Sequence, residues 1–111
     1  MKSFWYAFKG IGLMLKQRNF VIEVICGAVV IATMFFIDYS NIERAILFIM
    51  IFVVLAAEGM NSAIEKTVDL MTEEHRKLAE HAKDMAAGSV LIIAVCSIII
   101  GLIIILPKIF K

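Results

Sequence analysis

AILFIMIFVVLAAEGMNSAIEKTVDL, residues 45–70, is the stretch that decides the fold. Its first thirteen residues, Ala45 to Ala57, are uncharged, and no Gly or Pro follows Gly59. A helix needs roughly 20 apolar residues to cross a ~30 Å hydrocarbon core. Glu58, and Asn61 with it, is therefore expected inside the membrane, near one face. Glu58, Asn61, Ser62, Glu65 and Asp69 recur at i, i+3, i+4, i+7 and i+11, which is one stripe of a helix. A carboxylate in hydrocarbon is costly and marks function by default. Ala56, Ala57, Gly59 and Ala63 surround the stripe and let neighbouring helices approach closely. The stripe is thus expected to face protein or a polar crevice. For Asn61 alone, a purely structural role between helices reads equally well.

The rest of the chain agrees with a membrane setting. It has 111 residues, 62% of them hydrophobic, with one Pro and six Gly, and a mean hydropathy of +0.96. That bounds it to one small polytopic domain, residues 1–111. A net charge of +1 gives no basic field for nucleic acid. Cys26 and Cys96 lie in apolar runs without metal spacing and read as buried, inert thiols. The first twenty residues hold Lys2, Lys9, Lys16 and Arg18 and lack the clean apolar core of a cleavable signal.

Residues 3–18 read as an amphipathic surface helix, with Phe4, Phe8, Ile11 and Leu15 on one face and Trp5 and Tyr6 at headgroup level. Three membrane spans follow, at 20–37, 42–64 and 85–106. Asp38–Asn41 reads as a turn, and Ser40 with Glu43 as a capping box opening the second span. The segment 66–84 is polar, with a turn and short helix over Thr72–His81. Glu73, Glu74, Arg76, Lys77 and Glu80 read as a solvated face, and His75 and His81 as solvated positions. Pro107 is expected to end the third span. Ala28 with Ala32 and Ser97 with Gly101 are small-residue pairs suited to packing. Lys and Arg cluster in the N-terminal arm and in 66–83, which puts both in the cytoplasm and the C-terminus outside.

Depth then gathers a site. Glu23 precedes fourteen uncharged residues on the first span, so it lies level with Glu58. Glu65 is about 10 Å and Gln17 about 9 Å further toward the cytoplasm at ~1.5 Å per residue. Lys83 and Asp84, which open the third span, belong to the same level. There is no GxxxxGK[ST], GxGxxG or GxSxG motif and no Cys/His cluster. Carboxylate and amide oxygens suit Mg²⁺ bound jointly with phosphates, and a Lys beside them can offset phosphate charge. The constellation is compatible with a kinase at the membrane interface. From spacing alone, a subunit of an ion-coupled transporter is equally admissible.

The residues AFKGI, RNF, AEGMNSAIEKTVDL and AKDMAAGSVLI resemble the small prokaryotic diacylglycerol kinase/undecaprenol kinase family over nearly the whole chain. The resemblance implies an all-α integral membrane fold, a surface helix plus three spans per subunit, assembled as a homotrimer. It implies transfer of the ATP γ-phosphate to a lipid hydroxyl with Mg²⁺, at sites on the cytoplasmic interface between subunits. By that resemblance Glu58 is the base or hydroxyl-orienting carboxylate and Glu65 a metal ligand. Asn61, Lys83 and Asp84 serve the nucleotide and phosphates, with Ser62, Asp69 and Glu23 in support. One position departs from the family pattern. Where Glu is expected as a second metal ligand this chain has Gln17, a neutral and weaker ligand, with Arg18 beside it.

The texture of TVDLMTEEH, KDMAAGSVLI and the tail GLIIILPKIF is similar to the Gram-positive undecaprenol kinase branch. Undecaprenol, giving undecaprenyl phosphate, is the expected substrate. Diacylglycerol is the alternative, and a non-enzymatic scaffold or transporter subunit a remoter one.

Overall fold

The computed structural model describes residues 2–71 and 76–110, and these form four helices with no strand among them. They are α1 (Lys2–Met14), α2 (Arg18–Thr33), α3 (Asn41–Met71) and α4 (Lys77–Ile109). Helices are what an apolar solvent demands, because every backbone N–H and C=O must be paired within its own segment. α3 and α4 are long and apolar enough to cross a membrane. They form an antiparallel hairpin, α2 lies against α3, and α1 touches α3 more lightly. The result is a slab of 55 × 36 × 21 Å.

Two ion pairs sit at opposite ends of the hairpin. Lys83 Nζ meets Asp69 Oδ1 at 2.8 Å, and Lys108 Nζ meets Glu43 Oε1 at 3.2 Å. Between these pairs run roughly 39 Å of α3 and 37 Å of α4 at ~1.5 Å per residue, so the two helices match in length and register. Near the Lys108 end, Tyr39, Leu47 and Ile104 form the buried core. The capping box is present: Ser40 N donates to Glu43 Oε1 at 2.8 Å, and Glu43 N donates to Ser40 Oγ at 3.1 Å. Elsewhere the apolar side chains point outward, Phe52 61% and Ile92 72% exposed among them. Faces like these suit lipid or other copies of the chain rather than water.

Several boundaries differ from the sequence reading. The surface helix stops at Met14 rather than 18. Lys16 and Gln17 turn back onto Leu13 and Met14 through short-range backbone bonds, so that a surface helix can redirect into α2. The first span is helical only to Thr33, and Met34–Ile37 form the turn that was expected at Asp38–Asn41. Thr33 Oγ1 donates to Val30 O at 2.6 Å and shares a 3.0 Å hydrogen bond with the Tyr39 hydroxyl. Burying Tyr39 therefore pulls the connection in and ends α2 early. Arg76 caps α4, and Lys77–His81 are its opening residues rather than a separate short helix. Glu73, Glu74 and His75 lie outside the described residues.

Pro107 does not end the last helix, which continues to Ile109. The ring fixes φ near a helical value and removes one backbone bond, that to Ile103 O, and Phe110 N still donates to Leu106 O. Cys26 and Cys96 are free but exposed, not buried. They lie on helix faces that the chain itself leaves uncovered. Ala28 and Ala32 are likewise exposed.

Candidate functional site

The polar stripe of α3 stays helical throughout, and its members meet residues from both neighbouring helices. Glu58, Asn61 and Ser62 are half-buried, whereas Glu65 and Asp69 are exposed. The gradient follows the stripe out of the slab. At its inner end Glu58 neighbours Glu23 on α2. Glu23 Oε2 is buried with no hydrogen-bond partner among the described residues, and so is Asn61 Oδ1.

One turn outward, Ser62 Oγ donates to Gln17 Oε1 at 2.5 Å. Gln17 is the N-cap of α2 in extended conformation, and its side chain makes no cap bond. The break after α1 frees it to reach α3. Its contact is thus with Ser62, three residues before Glu65. Asn61 Nδ2 donates to Glu65 Oε1 at 3.3 Å, a weak bond that orients the carboxylate. From α4, Lys83 reaches Asp69 and lies within electrostatic range of Glu65. Lys83 precedes the apolar part of α4, and its hydrogen bond to Asp69 holds the ammonium above its ordinary pKa. Asp84 is exposed beside it.

Gly59 leaves room for a close approach to α3. What comes close is the tip of Met14, at the end of α1. A Cβ at Gly59 would collide with the Met14 Cε and lie 3.0 Å from its sulfur. Met14 thereby fixes the exit of α1 beside Glu58. Its only sequence signal was a Gly within an apolar helix, which does not name the partner.

The oxygen donors can be tested against Mg²⁺. Among the described residues no three His, Cys, Asp or Glu side chains converge to hold a metal ion. A closed protein cage is therefore absent from them. The donors on hand are the exposed Glu65 carboxylate, the unpartnered Asn61 Oδ1 and the Gln17 amide oxygen, already engaged by Ser62. This set fits a hard cation that brings most of its ligands as water and phosphate oxygens, the usual manner of Mg²⁺. Such an arrangement, with Lys83 alongside, can hold a polyphosphate in the aqueous layer while the Glu23–Glu58 pair meets a hydroxyl at the membrane.

Comparison with known proteins supplies the remaining constraint. The prokaryotic diacylglycerol kinase family profile matches residues 5–105. The undecaprenol kinase of Bacillus subtilis is 44% identical over 96% of this chain and 88% of its own length. The diacylglycerol kinase of Synechocystis is 36% identical over 98% of this chain and 63% of its own. That of Escherichia coli is 29% identical over 89% and 82% respectively.

Proposed function

The chain belongs to the prokaryotic diacylglycerol kinase family and is a lipid kinase, and from that premise we propose that it transfers the γ-phosphate of ATP to undecaprenol. The observation that carries the choice of lipid is the likeness to an undecaprenol kinase, which exceeds that to the diacylglycerol kinases named above. Diacylglycerol is the second reading, because those relatives act on it by name. Lipid-kinase relatives also favour an enzyme over a transporter subunit or scaffold.

In the proposed reaction the lipid oxygen attacks the γ-phosphorus and forms the new P–O bond. The bond from that phosphorus to the bridging oxygen breaks, and ADP leaves. The hydroxyl proton passes to the carboxylate of Glu58, with Glu23 beside it. This division of labour is supported by the half-buried position of Glu58 and the exposure of Glu65. Glu65 and, more weakly, Gln17 hold Mg²⁺, which when bound neutralises phosphate charge and aligns the γ-phosphate. Lys83 offsets charge on the phosphates, Asn61 and Asp84 position them, and Ser62 and Asp69 hold Gln17 and Lys83 in place. Phosphoryl transfer asks for little more than such positioning and charge stabilisation.

In the bacterial cell membrane, α2 acts as the third span beside α3 and α4. Its helix is ~24 Å long and is extended by Met34–Ile37. The N-terminus and site face the cytoplasm and the C-terminus the outside. The exposed apolar faces suit a homotrimer, whose neighbouring copy can complete the ATP site. The deciding experiment offers purified protein Mg-ATP with undecaprenol and diacylglycerol side by side. Preference for undecaprenol is expected, and preference for diacylglycerol overturns the lipid assignment. Glu65→Ala is expected to abolish transfer and leave the oligomer intact; loss of assembly instead makes the stripe structural.

A further inference from the structure

α2 and α4 both pack on α3 and make little contact with each other. Between them runs a cavity of about 270 Å³, floored by Leu47, Ile51 and Val54 of α3. Its α4 wall carries Ala94, Ser97 and Gly101. A Cβ built on Gly101 meets nothing within 4 Å, so the channel is open at that level. Among the described residues, Glu23 is its one charged lining residue.

We propose that this channel holds the first isoprenoid units of a single-chain lipid alcohol, with the hydroxyl at the Glu23 end. The proposal rests on the lipid-kinase reading and adds where the tail lies. The channel has Glu23 in its lining at one end and Gly101 and Ile105 toward the other. Glu23, the charged residue in the channel lining, is the group a lipid hydroxyl meets. An apolar helix from a second copy would leave it unmet. Ser97 Oγ is already bonded to Ala94 O at 2.8 Å, so the α4 wall asks for no further polar partner. At ~30 Å³ per heavy atom the cavity takes roughly nine atoms, close to two isoprene units. From Ala94 to Gly101 is ~10 Å of helix, about the length of those two units. One channel accepts one chain, which favours a polyprenol over a lipid with two acyl tails.

The test uses the full-length oligomer. A photoreactive isoprenyl alcohol is bound without ATP and the labelled peptides are mapped. Labelling within 94–105 of α4 is expected; labelling confined to α1 or to outer helix faces overturns the proposal. Turnover of one-unit and two-unit isoprenyl alcohols is then compared in wild type and Gly101→Leu, which fills the far end of the channel. The variant is expected to lose about tenfold in kcat/KM on the two-unit alcohol, the low end for one misfitting group in an apolar pocket, and to retain wild-type turnover of the one-unit alcohol. Equal loss on both alcohols, or no loss on either, overturns it. Helical Gly101→Leu protein that no longer assembles also overturns it, because the channel is then a contact between copies. If wild type transfers phosphate to no alcohol yet labels within 94–105, the kinase reading fails and the channel stands.

Discussion

Gly27→Ala tests how the Glu23–Glu58 pair is held. Gly27 is buried one helical turn beyond Glu23, and a Cβ there would sit 2.8 Å from Ile51 Cγ2. Carbons rest at ~3.5–4.0 Å, so the Ile51 side chain or the spacing of α2 from α3 must give by about 1 Å. Alanine recovers ~1 kcal/mol of helix propensity, against an overpacking cost of ~1–3 kcal/mol. The net loss of stability is small, about 1 kcal/mol, well within what a folded oligomer survives. Activity is more sensitive, since a displacement of ~1 Å can cost about 100-fold. Phosphate transfer to undecaprenol in mixed micelles is therefore expected to fall about 10- to 100-fold with the melting point only slightly lowered. The contact has a built-in control. The Ile51 Cβ lies 3.9 Å from the added carbon, so in an Ile51→Ala background the same substitution meets no clash and is expected to cost no further activity. A double-mutant cycle gives the coupling directly. Wild-type turnover by Gly27→Ala, or an equal loss in both backgrounds, refutes the idea that this contact sets the carboxyl spacing.

Gln17→Glu is expected to raise the apparent affinity for Mg²⁺ and increase turnover, measured by titrating the cation at fixed ATP; unchanged activity means that the position holds no metal. Lys83→Met is expected to raise KM for ATP while leaving the oligomer intact, and Asp69→Asn to do so more mildly by releasing Lys83; unchanged KM in both removes them from the phosphate end. Tyr39→Phe gives up the bond to Thr33 and is expected to cost ~1 kcal/mol without altering turnover, because it lies at the end of the hairpin away from the site. Chelation of divalent cations is expected to stop transfer, and Mg²⁺ to restore it.

The sequence alone determined that α3 is a continuous helix bearing one polar stripe, because a 3.6-residue period is a local property. It determined the level of Glu23 with Glu58, because two opposed helices entering a membrane share one depth scale. It also determined the capping box at Ser40–Glu43, which is closed by residues three apart. The family was legible in its motifs for the same reason: the chemistry is written along one helix face and the start of the next. Which oxygen meets which donor follows from how the helices pack. Gln17 bonds Ser62 because α1 breaks from α2, and that break answers to packing rather than propensity. Tyr39, absent from every pattern, shortens α2 because its burial and its hydroxyl bond outweigh the helix preference of Met34–Ile37. Pro107 passes through α4 because its fixed φ is helical and one bond, to Ile103 O, is all that it removes. The channel beside Glu23 exists because two helices share a floor with little contact between them, a relation between residues 23 and 101 that no local pattern along the chain encodes.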